Sequence, residues 1–173
     1  MNRRDLLIEH MNDLESRGMG CIGCPGTCRT FEANSMLMTP IEAFELMDYL
    51  SKNSLKTPEL KTKLEDAVKK YRLEPKFGKS YLRKTYTCPF FGHAELGCPL
   101  PREVKPFGCL AFDSHHVELK ASEHCYSEIE LLKERENRHP EEGQLNDEIR
   151  RKFNLFWEKA PIPNALLELW DQF

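Results

Sequence analysis

The sequence predicts a mainly α fold, with helices set around an irregular cysteine-rich centre that carries minor β structure. Three observations point there. Apolar residues recur with a helical period on both sides of the middle of the chain. Two Thr-Pro pairs, Thr39-Pro40 and Thr57-Pro58, stand where such stripes begin. Residues 74–121 then break the pattern with five prolines, several glycines and three of the seven cysteines.

Leu7, Met11 and Leu14, spaced i, i+4 and i+7, predict a first helix over 3–17, which Gly18 and Gly20 end. Thr39-Pro40-Ile41-Glu42 sets an N-cap threonine, a proline at the first helical position and a glutamate three residues after the cap. The helix it opens carries Ile41, Phe44, Met47 and Leu50 as its apolar positions. Thr57-Pro58-Glu59 opens another, striped by Leu60, Leu64, Val68 and Tyr71. Within 74–121, short strands are expected near Tyr86–Phe91 and Val117–Leu119, joined by loops. Helices follow over 122–137, 143–159 and 164–173, the last with Leu166, Leu169, Trp170 and Phe173 on one face. These stripes read as packing surfaces. Along the chain the partition is a domain of residues 1–121 and a helical extension, 122–173, packed on it.

With 173 residues, 40% hydrophobic and 31% charged, the chain can bury a core of its own. Crosslinks are not needed to offset small size, so seven cysteines call for another reason. Leu6, Leu7 and Ile8 give way at once to Glu9 and His10, so no secretory leader is expected. No stretch reaches the roughly 18 apolar residues of a membrane span. A cytoplasmic location follows, in which thiols stay reduced and a cysteine pattern signals metal or catalysis rather than disulfides. From Lys56 to Lys84, ten basic residues face four acids. That stretch has only Tyr71, Phe77 and Tyr81 as aromatics and reads as a solvated helix face rather than a nucleic-acid surface.

The six core cysteines fall into two groups. Cys21-Ile22-Gly23-Cys24-Pro25-Gly26-Thr27-Cys28 is a tight Gly/Pro turn with cysteine gaps of two and three residues. Such spacing lets neighbouring thiolates reach one ion while turn amides point at sulfur and offset its charge. Cys88, Cys98 and Cys109 follow, each bordered by glycine or proline. Cys24, Cys88 and Cys98 directly precede proline, as does the cysteine that closes the bacterial ferredoxin run, a tilt toward iron–sulfur. Cysteine is also a small buried hydrophobe, but turn-rich surroundings do not favour inert core use. Cys21, Cys24, Cys28, Cys88, Cys98 and Cys109 are therefore the candidate metal ligands, for a zinc ion or an iron–sulfur cluster, and four suffice for either. His93, His115 and His116 read as loop histidines, with His93 a further candidate ligand between Cys88 and Cys98. Cys125, near a helix start, is a thiol that could complete the site.

The loop Cys21–Cys28 with Leu37-Met38-Thr39-Pro40-Ile41-Glu42 carries one half of a family resemblance. Tyr86-Thr87-Cys88-Pro89-Phe90, Gly97-Cys98-Pro99-Leu100 and Lys105-Pro106-Phe107-Gly108-Cys109-Leu110-Ala111-Phe112 carry the other. Together, over about residues 18–113, they resemble the YkgJ-type cysteine-cluster family, also called CxxCxxCC. The resemblance implies chelation of zinc or iron and no defined general activity. This chain departs from the family pattern at Thr27, where a cysteine is expected, and at Lys105-Pro106, where Arg-Pro is usual.

No nucleophile elbow, phosphate loop, dinucleotide fingerprint or zinc-protease helix is present. Three functions remain open: a metal-binding module, an iron–sulfur redox or transferase enzyme, and a helical adaptor with a structural metal site. In the adaptor reading, Phe153, Phe156, Trp157, Trp170 and Phe173 are the residues available for an interface, or else for the core. The expected partner is the metal, with no membrane; a protein partner is left open.

Overall fold

A computed structural model describes residues 2–18, 36–75, 80–91, 98–113 and 126–173. Its elements in chain order are α1 (Asp5–Ser16), β1 (Leu37–Met38), α2 (Pro40–Lys52) and α3 (Pro58–Tyr71), then a 3-10 turn (Arg102–Val104) and α4 (Phe107–Leu110). Next come β2 (Phe112–Asp113), β3 (Tyr126–Ser127), α5 (Ile129–Asn137), α6 (Glu142–Phe153), β4 (Ala160–Pro161), α7 (Ile162–Leu169) and a closing 3-10 turn (Trp170–Gln172). The fold is mainly helical, as the sequence predicts, and among the described residues its ladders are two antiparallel pairs of two-residue strands.

Contacts divide the chain into two compact units, each built from two stretches. The first takes Met1–Ala33 and Phe90–Pro140, the second Asn34–Pro89 and Glu141–Phe173. The partition at residue 121 runs along the chain, whereas these units interleave.

In the second unit, α2 forms where its signals stand. Glu42 Oε2 accepts from the Thr39 N–H at 2.7 Å and the Thr39 hydroxyl at 2.8 Å. Asn146 of α6 adds a cap that no local pattern announces, its Oδ1 accepting the Ile41 N–H at 2.9 Å. Two of the amides that a helix start leaves without intrahelical partners are thereby satisfied. α3 is capped by Thr57, whose Oγ1 accepts the Leu60 N–H at 3.3 Å. It ends on Arg72 in the left-handed region (φ 52°), a place glycine usually takes.

α7 is the hub of this unit. Ile162, Pro163, Asn164, Ala165, Leu166 and Leu169 are all buried, and the helix packs on both α2 and α3. A helix apolar around most of its girth has to be enclosed by neighbours. β1 and β4 pair Leu37 with Pro161 and Met38 with Ala160, joining the approaches to α2 and α7. Tyr86, fully buried, locks that junction. Its hydroxyl donates to the Met36 carbonyl at 2.7 Å and accepts the Ile162 N–H at 3.1 Å.

The sequence reading needs three corrections. The helix expected over 143–159 stops at Phe153, because Asn154 turns left-handed (φ 54°) and sends Leu155 and Trp157 into the core. Tyr86 makes an isolated bridge rather than a strand over 86–91. The helix expected from 122 starts at Ile129, since Tyr126 and Ser127 pair with Asp113 and Phe112. Val117–Leu119 lies outside the described residues.

The first unit gathers around α1. Leu7, fully buried, packs with Phe107, Leu110 and Ala111, flanked by Ile8, Met11, Leu131 and Leu132.

Candidate metal centre

Three candidate ligands are described, Cys88, Cys98 and Cys109, each a partly buried thiol. Cys21, Cys24, Cys28, Cys125, His93, His115 and His116 lie outside the described residues. Among the described residues, no three His, Cys, Asp or Glu side chains converge as a metal-holding group.

Cys109 sits on the single turn of α4, and Pro106 starts it: the Cys109 N–H donates to the Pro106 carbonyl at 2.9 Å. This turn is held from three sides. Phe107, two residues before Cys109, lies under two guanidinium groups, with Arg135 of α5 at 3.4 Å from the ring centroid and Arg4 at 4.8 Å. Arg4, just ahead of α1, and Arg135 are 1% and 4% exposed, so both cations leave water for the ring face. Desolvated cation–π contacts of this kind are worth up to about 2 kcal/mol each. Their Nε atoms find backbone acceptors, Lys105 O for Arg4 at 2.8 Å and Arg3 O for Arg135 at 3.0 Å. From the third side, the Ser127 hydroxyl donates to the Gly108 carbonyl at 3.1 Å.

Cys98 leads through Pro99 and the buried Leu100 into the 3-10 turn at Arg102. Arg102 reaches the far end of α1, binding Glu15 Oε1 at 2.5 Å and also Asn12 Oδ1. The stretch 98–111 is therefore fastened to α1 just ahead of its start by Arg4–Lys105, in its first turn by Leu7 and in its last turn by Arg102–Glu15. α1 is the helix that leads, through Gly18, to the loop of Cys21, Cys24 and Cys28. Sequence reasoning missed these arginines. Nothing in their spacing separates Arg4, Arg102 or Arg135 from solvated surface charge.

Cys88 belongs to the second unit. It follows the buried Tyr86 and Thr87, whose hydroxyl lies 2.8 Å from that of Tyr71. Elsewhere in the same unit, Glu168 takes two donors, the Tyr81 hydroxyl at 2.5 Å and the Trp157 indole N–H at 2.8 Å. Burial, with the Glu168 carboxylate beside it, pushes the Tyr81 hydroxyl well above its usual 10.0.

Among the described residues, no helix is long and apolar enough to cross a membrane. No family model matches the chain, and no curated protein or solved structure matches it either.

Proposed function

We propose that the chain is a cytoplasmic metal-binding protein of the cysteine-cluster type, holding a zinc ion or an iron–sulfur cluster through cysteine thiolates. The pool of ligands is Cys21, Cys24, Cys28, Cys88, Cys98 and Cys109. One observation carries the reading: the segment bearing Cys98 and Cys109 is bound along the length of the helix that leads into the early cysteine loop. Cys21 is three residues beyond Gly18, a reach of at most about 11 Å.

The energetics run the same way. A metal joining Cys28 to Cys98 would close a loop of about 70 residues, at a cost near 4 kcal/mol plus a constant. The packing of α1 on Phe107, Leu110 and Ala111 supports that closure, since α1 precedes the early cysteine loop in sequence. The buried cations Arg4 and Arg135 hold the ring of Phe107, two residues before Cys109. The resemblance to the YkgJ-type family, which departs at Thr27 and Lys105, agrees with chelation of zinc or iron.

The test is metal content and absorption spectrum of the full chain purified without oxygen. Near-stoichiometric metal is expected, brown with broad visible absorbance for a cluster and colourless for zinc. C98S and C109S are each expected to lose most of it while far-ultraviolet circular dichroism keeps the helical signal. A wild-type chain free of zinc and iron, or serine variants that keep full metal, overturns the reading. C88S, measured beside them, reports the share taken by the sixth thiol.

A further inference from the structure

We propose that the second unit carries a docking surface for an extended, acidic segment of a protein partner, made by the end of α3, residues 82–84 and Phe156. The surface stands independently of the metal-binding reading. In sequence the lysines and arginines of this region read as a solvated helix face, but the fold gathers them. Lys84 comes back to α3, where its ammonium donates to the Arg72 carbonyl, and the hydroxyls of Tyr71 and Thr87 meet at 2.8 Å. The stretches 69–74 and 80–87 are thereby joined. Between them they hold five cations, Lys69, Lys70, Arg72, Arg83 and Lys84, against one acid, Glu74. All of these cations but the half-buried Lys84 are exposed. Among the described residues, Lys69, Arg72 and Lys84 have no carboxylate partner. The carbonyl end of a helix carries about half a negative charge, which accounts for one neighbouring cation and not for five. A surplus of that kind attracts anions.

The apolar neighbours say which anion. Leu82 and Phe156 are each 41% exposed, and the Phe156 ring lies 5.7 Å from that of Tyr81, the residue before Leu82. Exposed apolar side chains beside arginines match the composition of a protein interface. Single-stranded nucleic acid binds on free aromatic faces, whereas the Tyr71 ring lies under Lys70 and the Tyr81 ring against Phe156. A lipid surface asks for more apolar anchoring than two side chains supply, since even one acyl chain holds only marginally. Leu82 and Lys84, two residues apart, also have backbone N–H and C=O groups without a hydrogen-bond partner among the described residues. An extended peptide pairs with such groups at alternate residues. The occupant therefore offers acids to Lys69, Arg72 and Lys84 and an apolar side chain to Leu82 and Phe156.

The full-length chain is titrated with a fluorescein-labelled peptide that alternates glutamate with leucine and phenylalanine, and binding is read by anisotropy. The comparison probes are the same peptide with serine for its apolar residues, a single-stranded oligothymidylate of equal length, and vesicles of phosphatidylcholine and phosphatidylserine. The acidic, apolar peptide is expected to bind most tightly, and more weakly as salt rises. K69E/R72E is expected to weaken it by about fivefold to twentyfold, and F156S by about fivefold. K133E/R138E makes the same change of charge at α5 in the first unit and is expected to leave binding within about twofold of wild type. Should K69E/R72E fail to fold by circular dichroism, K69Q/R72Q carries the same comparison with a smaller loss.

A peptide that does not bind, or equal losses in K69E/R72E and K133E/R138E, overturns the surface. Undiminished binding by F156S, or of the serine-substituted peptide, overturns it as well. Tighter binding of the oligothymidylate or of the vesicles overturns the assignment to a protein segment.

Discussion

Tyr81 shows how one side chain ties a loop to a helix and what that does to its chemistry. Its hydroxyl donates to Glu168 on α7 while the ring lies 5.7 Å from that of Phe156. Burial and the neighbouring carboxylate both favour the neutral phenol, so its folded pKa lies above the 10.0 of the unfolded chain. Above about pH 10 the unfolded state releases that proton and the folded state keeps it, so stability falls as pH rises. Urea unfolding is expected to show wild type losing more stability than Y81F between about pH 9 and 11. Equal losses contradict this placement of the hydroxyl. Residue-scale burial is also where the sequence was least legible. Arg4 and Arg135 are almost fully buried, yet in sequence they are charges among other charges. Only the meeting of three chain segments at Phe107 turns them into core.

At the scale of elements, α2 and α3 were legible because their starts are written locally, in Thr-Pro pairs and a glutamate placed to cap. Their ends and burial were less so. Ala43 and Leu46 are fully buried beside the expected Ile41, Met47 and Leu50, because α2 is covered by both α6 and α7 rather than along one stripe. The end of α6 was missed because Asn154, not glycine, adopts the left-handed turn. The late start of α5 depends on the pairing of β3 with β2, which comes from residues far apart in sequence. The C-terminal aromatics resolve toward packing. Trp157 and Trp170 are buried, while Phe153 and Phe173 make tilted ring contacts with Phe44 at 5.8 and 5.2 Å. Phe156, 41% exposed, is the one of the five left at the surface. Because α7 fills the centre of this unit, L166A, at a fully buried position, is expected to cost about 2–5 kcal/mol. Chemical denaturation measures it, and a loss below about 1 kcal/mol contradicts the hub role of α7.

For the whole molecule, each of the two units draws on two separate stretches of the chain. The grouping of the thiols and the turn residues around them were legible in the sequence, since both are local. Which of them share a unit was not, because it depends on how α1 docks. Cys98 and Cys109 join the stretch Met1–Ala33, and Cys88 joins the other unit. The metal centre proposed for the first unit would link the two ends of its discontinuous chain, and its binding free energy would then also be folding free energy. X-ray absorption at the zinc or iron edge of anaerobically purified full-length protein tests that claim most directly. The expected result is a shell dominated by sulfur near about 2.3 Å, thinned or lost in C98S and C109S. A shell of oxygen and nitrogen without sulfur, or no edge at all, contradicts it.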